Sequence, residues 1–529
     1  MSALDYELPP AELPLEDGGR YDGFADPFAG GSFTYLGKMP YKRSLDIVDS
    51  PIGVGYETLD RDTFDPVPTY KFMANSGAKW ARIQSGWNRS ERENGVYDFD
   101  WLDKIVDGLL GIGMKPWISL SFGNSLHTPV PAYEDYKRNH PPEKWPQHIR
   151  GYVGEVPLYH GPAAIAAWER YVRALAHHFK GRISHWEIWN EPNVAKGNTA
   201  SFWGYLGRAV YPDLDFVERL MKMAADYVEL LRISRAQVLA EIPDAQIIAG
   251  SITNGCNAPA YIDGLGRASV GKYADIISFH PYGFVPEFNL AARFNFIKEN
   301  TRINGKALRI WQGECGRTAG APIGDCSLIP SEYNQAKFLA RRFVSDIALG
   351  AEVSSFFNVS DFTAYQSGEG DFMFGLIHRK EKRPKLAYEA LRSIAYLFEG
   401  IEPAPDLYVH LRTMSFSSMM RYQLSVSQFR RKGVPLFAFY FPEHPDVPFE
   451  AGSIDLQFYV KETDTFTQPV VIDPIRRNIY RPDAFDKPEG GHGALRIKPF
   501  PFTDYPLFLT DLSALQDTNA LFDEDALPR

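Results

Sequence analysis

Two glutamates stand where a carboxylate can act. Glu191 lies in the string Trp189-Asn190-Glu191-Pro192, and Glu314 in Gln312-Gly313-Glu314-Cys315. Each ends a short β-rich run and is followed by turn residues. Two carboxyls that face one cleft are what cleavage of a glycosidic bond needs. One must keep its proton and donate it to the leaving oxygen; the other must be ionised, to attack or to activate water. That division requires two environments that pull the two pKa values apart. Either glutamate alone also reads as an ordinary surface carboxylate, but the string around Glu191 is specific.

The elements that must hold these residues follow from the texture of the chain. Eight β-rich runs fall at 53–57, 80–84, 115–121, 184–190, 246–251, 275–280, 308–314 and 352–358. Amphipathic segments lie between them. Ile165, Trp168, Val172, Leu175 and Phe179 recur at helical spacing, as do Phe216, Leu220, Met223, Tyr227 and Leu231, and Leu102, Ile105, Val106 and Leu109. Eight strands, each followed by a helix, predict an α/β fold, a (β/α)8 TIM barrel over residues 53–398. Such a barrel places chemistry at the C-terminal ends of its strands, where Glu191 ends strand four and Glu314 ends strand seven. Alternation turns Glu187, Trp189 and Glu191 inward on strand four, and Ile310, Gln312 and Glu314 inward on strand seven. Cys315 then points away from the cleft, and no neighbouring histidine in sequence would activate its thiol. Residues 125–161, with Pro and His but no strong period, read as a pocket loop after strand three. Beyond Phe398, short runs separated by turn residues predict an accessory antiparallel β-sandwich over 399–529. Residues 1–52 read as an extended arm with one strand near 32–37, contributing to the sandwich.

Composition narrows the function classes. The 56 basic and 66 acidic residues leave a net charge of −10, which argues against nucleic acid or an anionic membrane as partner. Three cysteines make no disulfide framework and fit a reducing compartment. The N-terminus lacks the pattern of a secretory signal and there is no long apolar run, so a cytoplasmic protein is expected. No cofactor or metal is expected. The adjacent His177 and His178 cannot share one helix face, and neither a zinc-type string nor a Gly-rich phosphate loop occurs. Aromatic residues reach 14%, compatible with stacking on flat ligands as well as with a well-filled core. The arm and the aromatic sandwich are compatible with a homo-oligomer.

The Trp-Asn-Glu-Pro string at strand four, with a glutamate closing strand seven, resembles the clan A glycoside hydrolases, the 4/7 superfamily of retaining enzymes. The run 185–193 is most similar to family 39, which contains β-xylosidases and α-L-iduronidases. A sandwich after the barrel fits that family. The resemblance implies that Glu191 is the general acid/base and Glu314 the nucleophile. It implies that Asn190 binds the sugar hydroxyl next to the reacting carbon and that Arg82 holds the nucleophile. His280 and Tyr282 match clan positions near the nucleophile, with Tyr282 a donor to Glu314. The alternative readings are a pair of Arg82 with Glu187 alone inside the barrel and His280 as a satisfied core histidine. Outside the resemblance, Trp87, Trp203, Phe356, Phe362 and Tyr365 are candidates for an aromatic sugar platform, or else for packing. Asn124 and His127, just beyond strand three, are candidates for sugar hydroxyls. One departure concerns strand eight, which lacks the Trp that many clan members carry at its end. The resemblance implies a retaining, exo-acting β-glycosidase with a carbohydrate substrate. An endo-acting glycanase and a carbohydrate-binding protein without catalysis are the rival readings.

Overall fold

Eight short parallel strands close on themselves: Ile52–Gly55, Trp80–Gln84, Lys115–Leu120, His185–Ile188, Gln246–Thr253, Ile276–His280, Arg309–Cys315 and Ala351–Phe356, here strands one to eight. The computed structural model describes residues 26–29, 31–145, 153–194, 211–253, 258–320, 331–363, 371–411, 424–447, 449, 452–459, 466–487 and 495–522. Each of the eight β-rich runs supplies one strand, in chain order. Strand eight pairs back onto strand one, with Ser354 beside Ile52. The strands are buried almost throughout because helices cover their outer faces, as parallel sheets require.

The covering helices carry their own signals. Helix Asp100–Gly111 buries Leu102, Ile105, Val106 and Leu109, one stripe at helical spacing. Helix Pro162–His178 begins on a proline, whose missing N–H costs nothing there. Helix Phe216–Glu241 starts with a capping box, in which the Asp215 carboxylate accepts from the Glu218 N–H and the Glu218 carboxylate from the Asp215 N–H.

The lower barrel is plugged by aromatic rings. Trp117 and Trp311 are buried there with Ile248, Ile276 and Val353. Trp80 meets Trp311 edge-on at 4.9 Å, and His185 stacks on Trp311 at 5.0 Å. Burial lowers His185 to about 4, so at neutral pH the ring is an uncharged part of the plug.

Antiparallel sheets form the accessory unit. A seven-stranded sheet runs in the order Phe33–Lys38, Asn478–Pro482, Pro469–Asp473, Leu507–Asp511, Val434–Tyr440, Ser425–Arg431, Ile401–Pro403. A four-stranded sheet holds Tyr408–Leu411, Gly452–Tyr459, Leu495–Phe502 and Phe485–Asp486. The two sheets share an aromatic core, with Phe439 and Phe500 at 4.5 Å and Phe441 and Phe502 at 4.9 Å. The strand Phe33–Lys38 thus lies at an edge of the larger sheet, 440 positions before its partner in register, Asn478.

Helix Glu332–Ala348 is sandwiched between barrel and sheets and is buried on nearly every side, from Tyr333 to Ile347. Its charges are therefore paired. Lys337 Nζ meets Asp504 at 2.5 Å, Arg341 meets Glu287 at 2.6 Å, and Arg342 meets Asp346 at 3.0 Å. Burial pulls Lys337 down and pushes Asp504 up, while their attraction opposes both shifts. Removing one partner of such a pair leaves the other charge buried alone. Lys337→Met is therefore expected to cost ~3–5 kcal/mol, and Lys337→Met with Asp504→Leu to recover most of it. Urea unfolding midpoints of the parent, the single and the double variant check this; equal midpoints for single and double would refute it.

Among the described residues, no helix is long and apolar enough to cross a membrane.

Candidate active site

Arg82 is the centre of the barrel mouth. It comes from strand two and is fully buried. Its Nε donates to Glu187 at 2.6 Å, and its Nη1 to Glu314 at 2.7 Å and Glu57 at 3.1 Å. Its Nη2 donates to Asn190 Oδ1 at 2.9 Å. The planar fork of a guanidinium suits this role, because it points several donors in fixed directions at once. Both readings of Arg82 made from the sequence therefore apply together: it pairs with Glu187 and it holds Glu314.

The carboxyls around Arg82 differ in state. Burial would raise Glu187, but the charge of Arg82 and the hydrogen bonds from Arg82 and Ser251 hold it below its ordinary value. Trp117 adds an indole N–H at 3.3 Å. Glu57 shows the opposite balance. Burial and the neighbouring Glu314 push it well above the carboxylate range despite Arg82.

Glu314 ends strand seven with both oxygens engaged. Tyr282 donates its hydroxyl to Oε1 at 2.9 Å, and Arg82 donates to Oε2. Glu191 is held differently. Among the described residues the hydrogen-bond partner of its carboxyl is His280, with Nδ1 at 3.1 Å. Burial raises Glu191 to about 7, against the pull of Arg82. His280 is itself buried and lowered by that burial to about 4, so a neutral ring faces the carboxyl at neutral pH. An oxygen of Glu191, a ring nitrogen of His280 and an oxygen of Glu314 all lie within 4.8 Å of one another. Three such atoms resemble a set of metal ligands. A guanidinium already on Glu314 and a carboxyl that keeps its proton to about 7 make the cluster a poor cradle for a cation.

Asn190 presents a usable amide. Its Oδ1 is taken by Arg82, which orients the group, and among the described residues the NH2 has no acceptor and can serve a ligand. Strand four ends at Ile188, and both Trp189 (φ 65°) and Glu191 (φ 47°) are left-handed. This overturns the inward alternation of Glu187, Trp189 and Glu191. The turned backbone sends Trp189 outward against Phe122 and Trp168, while Asn190 reaches Arg82 inside. Cys315 is buried with its Sγ 3.5 Å from the Pro281 carbonyl, and burial raises the thiol to about 12, so it is no nucleophile.

Glu191, Glu314, Asn190, Arg82, His280 and Tyr282 are thus brought together. Trp87, Asn124 and His127 are not, and their reading as sugar contacts is corrected. Gly86 turns left-handed after strand two and the short helix Trp87–Ser90 tucks Trp87 beneath the helical layer, against Trp168 and Tyr171. Its indole N–H goes to Glu91 at 2.5 Å. Asn124 is buried, and its amide NH2 donates to the carbonyls of Trp87 (3.3 Å) and Glu91 (2.7 Å). His127 lies 3.1 Å from Glu91 and stacks on Trp87. The three form a scaffold around Glu91. Phe356 and Phe362 are core residues, and half-buried Phe357 stands at the end of strand eight instead. Trp203 and Tyr365 lie outside the described residues.

Besides Trp117, two members of the site escaped the sequence reading. Ser251, on strand five, donates to Glu187. Glu57 follows strand one and reaches Arg82. Glu57 carried the same signal as Glu191 and Glu314, a carboxylate at the end of a β-rich run. Ser251 carried none.

No family model matches the chain. A curated β-xylosidase from Caldicellulosiruptor saccharolyticus is 30% identical over 112 residues, a stretch that spans 19% of this chain and 19% of that protein. Among solved structures, a family 39 glycoside hydrolase from the gut symbiont Bacteroides cellulosilyticus WH2 aligns with a TM-score of 0.58 at 16% identity, over 87% of this chain and 80% of that one. The family 39 enzyme from Xanthomonas axonopodis pv. citri gives 0.52 at 15% identity, over 91% of this chain and 98% of that one. At such identities the likeness is one of fold. A (β/α)8 barrel with an accessory antiparallel sandwich is the architecture shared with these glycoside hydrolases. The likeness in fold to these two family 39 structures takes in both the barrel and the accessory sheets.

Proposed function

We propose that the chain is a retaining glycoside hydrolase that acts from chain ends as a β-glycosidase of the β-xylosidase type. The observation that carries this reading is the nearness of the two carboxyls, an oxygen of one lying within 4.8 Å of an oxygen of the other. Retaining enzymes hold the pair ~5–5.5 Å apart, and inverting enzymes leave ~6.5–9.5 Å for a water. The environments divide the labour. Glu191 keeps its proton to about 7 and serves as the acid. Glu314, fixed by Tyr282 and Arg82, serves as the nucleophile.

In the first step Glu314 attacks the anomeric carbon as Glu191 protonates the leaving oxygen, which gives a glycosyl ester and a free aglycone. In the second, Glu191 takes a proton from water, the water oxygen attacks the same carbon, and Glu314 is released. The free amide of Asn190 binds the neighbouring sugar hydroxyl. The match to a β-xylosidase supports xylose as the first sugar to try.

The test is a panel of aryl β-glycosides with the product anomer followed by NMR. Release of the β-anomer first is expected, with β-xyloside the best substrate. Release of the α-anomer first would end the retaining reading. Inertness toward the whole panel, with cleavage inside a polysaccharide, would establish endo action instead. For substrates with poor leaving groups, turnover is expected to fall as pH rises through about 7, because Glu191 then loses the proton it must donate. A flat profile from pH ~6 to ~8 would remove Glu191 from that role.

A further inference from the structure

The loop that follows strand six has two sides. Inward it carries Tyr282 to Glu314. Outward it walls a cavity of about 220 Å³ against helix Leu290–Asn300. Phe279, Tyr282, Phe284, Phe288, Asn289 and Arg293 are among its lining residues. The hydrogen bonds and rings already described do not use this space.

Three observations bear on what it holds. First, its aromatic walls are left in water. Phe284 is 54% exposed and Phe288 73% exposed, both beside the opening. Single exposed apolar residues are ordinary, but two aromatic rings on one cavity are a contact surface. Phe284 is also pre-positioned by its contacts with the Arg317 guanidinium at 5.1 Å and the His444 ring at 5.8 Å. Second, Arg293 lines the cavity half-buried and has no carboxylate partner among the described residues. Arg317, Arg341 and Arg342, in the same region, are paired with Asp446, Glu287 and Asp346. A half-buried cation without a counter-ion is a site for an anion. Third, the cavity is smaller than the ~300–1,000 Å³ of sites for drug-sized ligands, so it takes one ring.

The lining discriminates among anions. A uronate carries hydroxyls that need partners, and the side chains on offer are few: Asn289, Arg293 and Tyr282, whose hydroxyl already donates to Glu314. A phosphate would satisfy Arg293 and leave the phenylalanines unused. We propose that this cavity binds a single-ring aromatic carboxylate, with the carboxylate on Arg293 and the ring between Phe284 and Phe288. The proposal goes beyond the hydrolase reading and stands without it, because binding is measured without turnover.

The experiment is calorimetric titration of the full chain with benzoate, with benzyl alcohol as the uncharged control and glucuronate as the sugar acid. Saturable binding of one benzoate is expected, with benzyl alcohol at least about tenfold weaker for want of the charge-assisted bond. Arg293→Gln is expected to weaken benzoate by a similar factor and Arg293→Lys by less, with the thermal unfolding midpoint unchanged. Phe288→Ala, at an exposed position, is a second variant that should weaken benzoate and benzyl alcohol alike. Absence of saturable benzoate binding, equal affinities for benzoate and benzyl alcohol, equal affinities of parent and Arg293→Gln, or a tighter fit for glucuronate would each overturn the proposal.

Discussion

Glu314→Gln is expected to abolish turnover of every glycoside, good leaving group or poor, with a loss of ~10⁴-fold or more. The amide matches the carboxylate in shape, so the fold should be kept while the attacking oxygen is lost. Glu191→Gln should behave differently. Its loss is expected to be ~10²–10⁴-fold on substrates whose leaving group needs a proton, and small on dinitrophenyl glycosides, which depart without one. In Glu191→Ala, azide should enter the vacated space and yield a glycosyl azide of retained configuration. Rate constants on a leaving-group series separate the two residues. Equal losses by the Glu191 variants on activated and unactivated substrates would show that Glu191 is not the acid.

Arg82→Met is expected to damage both stability and catalysis. Arg82 donates to Glu57, Glu187 and Glu314 from a fully buried position. Its loss leaves buried carboxylates without their counter-ion, at a cost of ~3–5 kcal/mol. The pH dependence has a definite sign. In the parent, Glu187 is held below its ordinary 4.5. It therefore contributes stability that is present above 4.5 and lost as pH falls through its lower folded value. Without Arg82, burial is left to raise Glu187, and that contribution disappears. The stability gap between parent and variant should thus be widest near neutral pH and shrink in acid. A gap independent of pH would mean that the guanidinium acts through packing alone. In turnover, the loss of a donor that orients Glu314 and Asn190 is expected to cost a further ~10²–10³-fold in kcat. Arg82→Lys keeps the charge but not the fork, and should recover stability better than rate.

The barrel was legible because each strand is a short β-rich run followed by turn residues and a helical stripe, and that alternation has few other solutions. The cluster at its mouth was legible where residues lie on the strands or just beyond them: Arg82, Asn190, Glu191, His280 and Glu314. Legibility failed where the backbone leaves regular geometry. Left-handed turns at Trp189 and Glu191 moved Trp189 to the outside, and period-2 reasoning has no way to foresee a turn. It also failed in loops. Trp87, Asn124 and His127 follow strand ends in sequence, as Tyr282 does, yet they fold under the helical layer around Glu91, itself a residue the sequence did not mark. Helix Glu332–Ala348 is a third case. Nothing in its own sequence marks its lysine and arginines for burial; the approach of the sandwich buries them.

The aromatic plug formed by Trp80, Trp117, His185 and Trp311 has a kinetic consequence. A barrel sealed below has one doorway. On the proposed double displacement, the aglycone must leave before water can come in by the same route, and the freed sugar leaves last. Any small alcohol that occupies the vacated doorway competes with water for the glycosyl ester. The architecture therefore favours transfer of the sugar to added alcohols, and makes the monosaccharide product an inhibitor competitive with the substrate.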